Sequence, residues 1–293
     1  MQFLANTLVL ASIYGLLATG YVIVYRASRV INFAHGDFMV LGVYFFFSVL
    51  SIIGSKGILS SITSAITAFL IVFLLSLLIY RILIHPMLGQ PVFVIIMVTI
   101  GLSILLHGIT VFIWGAEPKS LISYMGIRSA SISFNTVALS TFDLAFIITF
   151  FALLIGLGLF FKYSRVGIQL RAASENPLFA SQRGINIYLL FAFSWGIATL
   201  LGAIAGILYG ANTHTEPAMA FLALKAMPVA IVGGMYSLLG VVPGAIIVAL
   251  AENAVAVYFD PLVSDVIPMV ILLIVLIVKP WGIFGKEEEI ERV

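Results

Sequence analysis

Nine runs of apolar residues, most about twenty long, follow one another along this 293-residue chain with short polar breaks between them. A helix rises about 1.5 Å per residue, so roughly 20 apolar residues cross a hydrocarbon layer about 30 Å thick. The runs lie near residues 3–25, 38–53, 59–80, 92–114, 142–161, 187–209, 221–236, 240–258 and 264–279. The second, seventh and ninth are short for a full crossing, which predicts tilted, flank-extended or re-entrant segments there. The expected fold is all-α, a polytopic transmembrane helical bundle of about eight or nine membrane segments, making one domain over residues 1–293.

Composition argues against a water-facing globule. Hydrophobic residues make up 62% of the chain and charged residues 9%, with mean hydropathy +1.22, which is more apolar surface than one domain of this size hides. The absence of cysteine excludes disulfides and thiolate metal sites. No charge precedes the first run and no small-residue cleavage site follows it, so that run is expected to stay in the membrane.

Lysine and arginine accumulate in short cytoplasmic loops. With nine crossings, one side collects Arg26, Arg29, Arg81, Lys162, Arg165, Arg171, Arg183, Lys279, Lys286 and Arg292, ten of the fourteen basic residues. The other side holds Lys56, Lys119, Arg128 and, at a helix end, Lys225. This predicts an N-terminus outside and a C-terminus, with the acidic tail "KEEEIERV", in the cytoplasm. The longest exterior connection, 115–141, contains "SYMGIRSASISFNTV", whose small polar and β-branched texture predicts a short hairpin.

The most water-like stretch is "KYSRVGIQLRAASENPLFASQRGIN", residues 162–186, on the basic side. A basic helix over about Val166–Ser174 is expected, then a break. Asn176 is a good N-cap, Pro177 suits the first helical position and Gly184 supplies a left-handed stop, so "PLFASQR" forms about two turns. Two turns are not stable alone in water, so something packs against them. Either the loop rests on its own transmembrane helices or it is a docking knob for another protein.

"LRAASENPLFASQRGI" resembles the cytoplasmic coupling loop of ABC importer permeases, where an Ala-Ala-rich helix is followed by an acidic residue and later by a closing glycine. Nearly end to end, the chain resembles the permeases of high-affinity branched-chain amino acid uptake. The stretches that carry this are "NTLVLASIYGLLATGYVIVYRASRVINFAHGDFMVLGVY", "FAFSWGIATLLGAIAGILYG", "LKAMPVAIVGGMYSLLGVVPGAIIVALAEN" and "VKPWGIFG". The resemblance implies a membrane subunit working with a second permease, paralogous or identical, two cytoplasmic ATP-binding subunits and an extracytoplasmic substrate-binding protein. It implies no cofactor bound by this chain and no nucleic-acid partner, with ATP held by the partner subunits. The sequence agrees in lacking any G-x-x-x-x-G-K-[ST]. On this resemblance Ala172, Ala173, Glu175, Asn176, Pro177 and Gly184 shape the knob while Leu178 and Phe179 fill a groove on the ATPase.

Within the membrane, Gly202, Gly206 and Gly210, with Ala198 one turn earlier, make a stripe that lets another helix approach closely, inside this subunit or at a moving interface. Gly233, Gly234, Gly240, Pro243 and Gly244 mark either a broken helix beside the transport pathway or a tight hairpin. Asn32, His35 and Asp37 in "INFAHGDF" suggest a hydrogen-bonded re-entry loop, His35 being packed or facing the inner end of the route. No third ligand makes His35 and Asp37 a metal site. "THTE" at 213–216 is an external turn whose His214 and Glu216 are solvated or touch the binding protein. Glu252, followed by Asn253, needs a polar interior or a partner, with Lys225 conceivable. Asp143 suits a helix N-terminus.

Spans lined with Ala, Gly, Ser, Thr, Val, Leu and Phe suit a small, partly apolar zwitterion and not a highly charged solute. The expected function is the permease subunit of an importer for branched-chain or similar hydrophobic amino acids. The competing readings are a urea or short-amide permease of the same class, a self-sufficient secondary carrier or channel, and an intramembrane enzyme built on His35 and Asp37.

Overall fold

A computed structural model of the protein describes residues 1–54, 56–127, 130–134 and 137–285; Arg128, Lys286, Arg292 and the acidic tail lie outside them. Among the described residues, eight helices are long and apolar enough to cross a membrane. They are α1 (Gln2–Ser28), α2 (His35–Ile53), α3 (Ile58–Ile79), α4 (Val92–Trp114), α6 (Thr141–Tyr163), α9 (Ile187–Asn212), α11 (Val241–Tyr258) and α13 (Ile267–Val278), the last preceded by the single turn α12 (Pro261–Ser264). The seventh apolar run is shorter than expected: α10 (Ala220–Gly233) spans 14 residues, about 21 Å. Small elements complete the chain: α5 (Leu121–Met125), α7 (Arg165–Glu175), α8 (Pro177–Gln182) and a hairpin of β1 (Ser131–Phe134) with β2 (Val137–Ser140). The hairpin pairs Phe134 with Val137, in the connection where the sequence predicts one. Pro86, which has no N–H to donate, stands just after a π-helical turn at Tyr80–Ile84 that lengthens α3.

The interior is made by α1, α2, α9, α10 and α11. Of the most apolar stretch of α1, 89% is buried, against 11% for the last span. The outer helices α3, α4, α6 and α13 are apolar all round and expose Leu70, Leu74, Phe112, Ile148 and Ile277, which only a lipid solvent tolerates over such an area. Asp143 and Ser140 form the capping box that starts α6, as its position suggests.

Two connections fold back into the bundle before their helices begin. After α1, Arg29 takes a left-handed conformation (φ 55°) and residues 30–34 run inward, so that α2 starts beside Gly20, eight residues back along α1 and about 12 Å from its end. At the other face, Thr215 packs on Gly210 of α9, and the chain continues inward until Ala220, the first residue of α10, meets Gly36 of α2. Helices α2 and α4 run parallel, with polar contacts at a constant separation of 66: Phe33 to Thr99, Asp37 to Ser103 and Ser48 to Trp114.

Candidate functional site

The basic island folds as its caps dictate. Asn176 Oδ1 accepts the Phe179 N–H at 3.1 Å to start α8, and Gly184 ends it at φ +80°. Ala173, Leu170 and Gly167 are buried, Gly167 against the backbone of Phe160 and Phe161, so α7 is fixed to the end of α6. Leu178 and Phe179 point the other way, 67% and 64% exposed, and at the end of α1 the Arg26 guanidinium lies 5.2 Å over the Phe161 ring. One side of the loop rests on the bundle, and the other presents two large apolar groups. Between α8, the end of α1 and the α3–α4 connection lies a cavity of about 620 Å³ lined by Arg29, Gln90, Ser174 and Asn186.

Inside the membrane the structure separates residues that lie together in the sequence. Asn32 Oδ1 accepts the Ala34 N–H at 3.0 Å, holding the re-entry turn. His35 turns toward α1 and α9, its ring edge-on to Tyr21 at 4.7 Å and pressed on Gly20. Asp37 turns toward α4, where the Ser103 hydroxyl donates to Oδ2 and His107 Nδ1 stands 3.6 Å from Oδ1. Ser103 is the middle residue of α4, so this carboxylate lies near the centre of the apolar layer. Beside it opens a cavity of about 230 Å³ whose apolar walls are Phe33, Ile104, Ala220, Phe221 and Leu224.

The other deep carboxylate is paired. Glu252 accepts from the Tyr14 hydroxyl at 2.8 Å and lies 3.6 Å from Lys225 Nζ, which also pairs with Asp265. Asn253 donates to Thr7 Oγ1 and to the Phe3 carbonyl, tying α11 to α1. A second cavity of about 310 Å³, lined by His214, Glu216, Lys225 and Asp265, shares Phe221 with the Asp37 cavity. Among the described residues no group of three or more metal-ligating side chains exists.

The glycine stripe of α9 is internal: Gly202, Gly206 and Gly210 face His35, Met39 and Val43 of α2, and Thr215. Gly233 and Gly234 form the tight hairpin, Gly233 against the Gly240 carbonyl and Gly234 against Gly285, and they line none of the three cavities described above.

Against known families, the model for the branched-chain amino acid transport system / permease component matches residues 3–276. The chain belongs to this family. Its permease relatives include the high-affinity branched-chain amino acid transport system permease proteins LivH of Salmonella typhimurium, 31% identical, and LivH of Escherichia coli K12, 30% identical. Each match covers 100% of this chain and 97% of the relative. BraD of Pseudomonas aeruginosa, a permease protein of the same description, is 29% identical over 100% of this chain and 98% of its own. Around Asp37, which the sequence reading singles out, the structure of this permease places Ser103, His107, Phe221 and Leu224, which that reading does not name. The spacing of Ser103 and His107, four apart on one face of α4, is the only local signal they carry.

Proposed function

We propose that this chain is the transmembrane subunit of an ATP-driven importer that moves branched-chain or similar hydrophobic amino acids into the cytoplasm. Its basic face lies in the cytoplasm, with the N-terminus outside. It works with a second permease, identical or paralogous, two cytoplasmic ATP-binding subunits and an extracytoplasmic binding protein. The observation that carries this reading is the exposed pair Leu178 and Phe179 on the capped helix α8, whose other face is anchored to the bundle. In water two such side chains want a cover, and the proposed ATP-binding subunits offer one in a groove. Closure of the ATPases moves α8, α7 carries that motion to α6 through Gly167, and the pathway turns outward. The substrate class fits a bundle whose buried side chains are mostly apolar, with Asp37 and Glu252 as the buried charged residues among those described.

The test is reconstitution with the four partner chains in proteoliposomes. Leucine uptake should require ATP and the binding protein, and replacing Glu175 and Gly184 together should abolish substrate-stimulated hydrolysis while the complex still inserts. Uptake by this chain alone, without nucleotide, would establish a self-sufficient carrier instead.

A further inference from the structure

We infer that the cavity between α2, α4 and α10 is a transit site in which Asp37 holds the ammonium group of the amino acid being carried. The inference rests on the proposed function and names the place where the substrate pauses. Asp37 is 3% exposed, yet it opens on a cavity of about 230 Å³. At about 30 Å³ per water-sized group, that is room for roughly seven or eight such groups, the scale of one small amino acid.

The carboxylate is incompletely used. One oxygen accepts from Ser103. The other lies 3.6 Å from His107, beyond hydrogen-bond range, and a carboxylate offers about four acceptor positions. Among the described residues no lysine or arginine lines the cavity, and Lys225 of α10 is held by Glu252 and Asp265. A buried anion with acceptors to spare, whose one basic neighbour is the His107 ring 3.6 Å away, fits a cation that arrives and leaves. The remaining walls decide which cation: Phe33, Ile104, Phe221 and Leu224 suit an aliphatic side chain and give nothing to a hydrated metal ion.

The site also lies where a pathway needs it. It is level with the middle of α4 and at the point where α2 and α10, both begun inside the layer, touch through Gly36 and Ala220. Phe221 separates it from the second cavity near His214 and Glu216, so a substrate moving along α10 passes that ring between the two. The cavity is open on the side where Ile104 is 69% exposed.

The experiment uses the whole reconstituted transporter with its binding protein and compares wild type, Asp37→Asn and Leu224→Phe. Labelled leucine and valine uptake are measured beside ATP hydrolysis stimulated by the leucine-loaded binding protein. Asp37→Asn should lower uptake of both amino acids at least tenfold while stimulated hydrolysis stays within twofold, which separates a lost transit site from a collapsed bundle. Leu224→Phe should narrow the cavity and lower the leucine-to-valine uptake ratio at least threefold. If Asp37→Asn does not assemble, that ratio decides the matter. Undiminished uptake in Asp37→Asn, equal losses of uptake and hydrolysis, or an unchanged ratio in Leu224→Phe overturns the inference. Wild-type complex that takes up no branched-chain amino acid refutes the functional reading instead.

Discussion

Tyr14 on α1 donates its hydroxyl to Glu252 on α11 at 2.8 Å, across 238 residues of sequence. With Lys225 3.6 Å from the other carboxylate oxygen, this contact joins three interior helices through one buried charge. Removing one partner of a buried pair leaves an uncompensated charge and costs roughly 3 to 5 kcal/mol, whereas removing both is often close to neutral. Lys225 keeps 23% of its side-chain exposure, which puts the effect toward the lower figure. Lys225→Met should therefore lower the melting temperature of the detergent-solubilised permease clearly, and Lys225→Met with Glu252→Met should recover most of the loss. Equal melting of Lys225→Met and wild type would remove the ion pair from the account of stability.

Leu178 and Phe179 should matter to the assembly and not to the fold. Both are more than 60% exposed, so replacing them with serine removes little burial within this chain. The double variant should melt with wild type, yet bind the ATPase subunits at least tenfold more weakly in a pull-down titrated with ATPase. Ala173→Leu is the opposite case. Ala173 is fully buried, and an added isobutyl group there should destabilise the permease by about 1 to 3 kcal/mol.

What the sequence conveyed divides by distance along the chain. The cap at Asn176, the stop at Gly184 and the helix start at Asp143 are interactions within three or four residues, and each was legible, although the capping box that Asp143 forms with Ser140 was not read. So were eight of the nine apolar runs, since length against bilayer thickness is a one-dimensional test. The Asp37 cavity was not, because its walls come from three helices and only the backbone path at 29–34 and 213–219 brings them together. Asn32, His35 and Asp37 look like a cluster in the sequence, yet successive helical positions turn by about 100°, so His35 and Asp37 serve opposite neighbours.

The small residues of the bundle divide into two groups that a substitution scan will separate. A Cβ at Gly42 would overlap Ala203, and one at Gly206 would press on Met39 and Val43, where α2 and α9 are in closest contact. At Gly156 and Gly158 of α6 a Cβ meets nothing within 4 Å. Leucine at Gly42 or Gly206 should cost more than the roughly 1 to 3 kcal/mol typical of overpacking, because backbone atoms as well as side chains resist. Leucine at Gly156 or Gly158 should be neutral or slightly stabilising, since glycine is the poorer helix former by about 1 kcal/mol. Melting curves read by size-exclusion fluorescence check both halves, and equal losses at all four sites would mean that α6 is packed on its outer side too.

The hairpin between α10 and α11 is closed by the segment after α13, and this closure gives the last prediction. Ile283 donates its N–H to the Val232 carbonyl at 2.8 Å and Phe284 to Gly233 at 3.2 Å, so the final carbonyls of α10 find their partners 51 residues later in the chain. Gly282 makes the approach possible: it sits at φ +76°, and any Cβ there would strike the Ile231 carbonyl and the backbone of Gly234. Gly282→Val should push the segment away and strand both carbonyls, each unsatisfied group costing roughly 1 to 3 kcal/mol where water is scarce. The expected result is a large fall in melting temperature, together with new chymotryptic cleavage after Trp281, within the displaced segment. A valine variant that melts normally and resists chymotrypsin at Trp281 would show that these bonds are not what holds the hairpin shut.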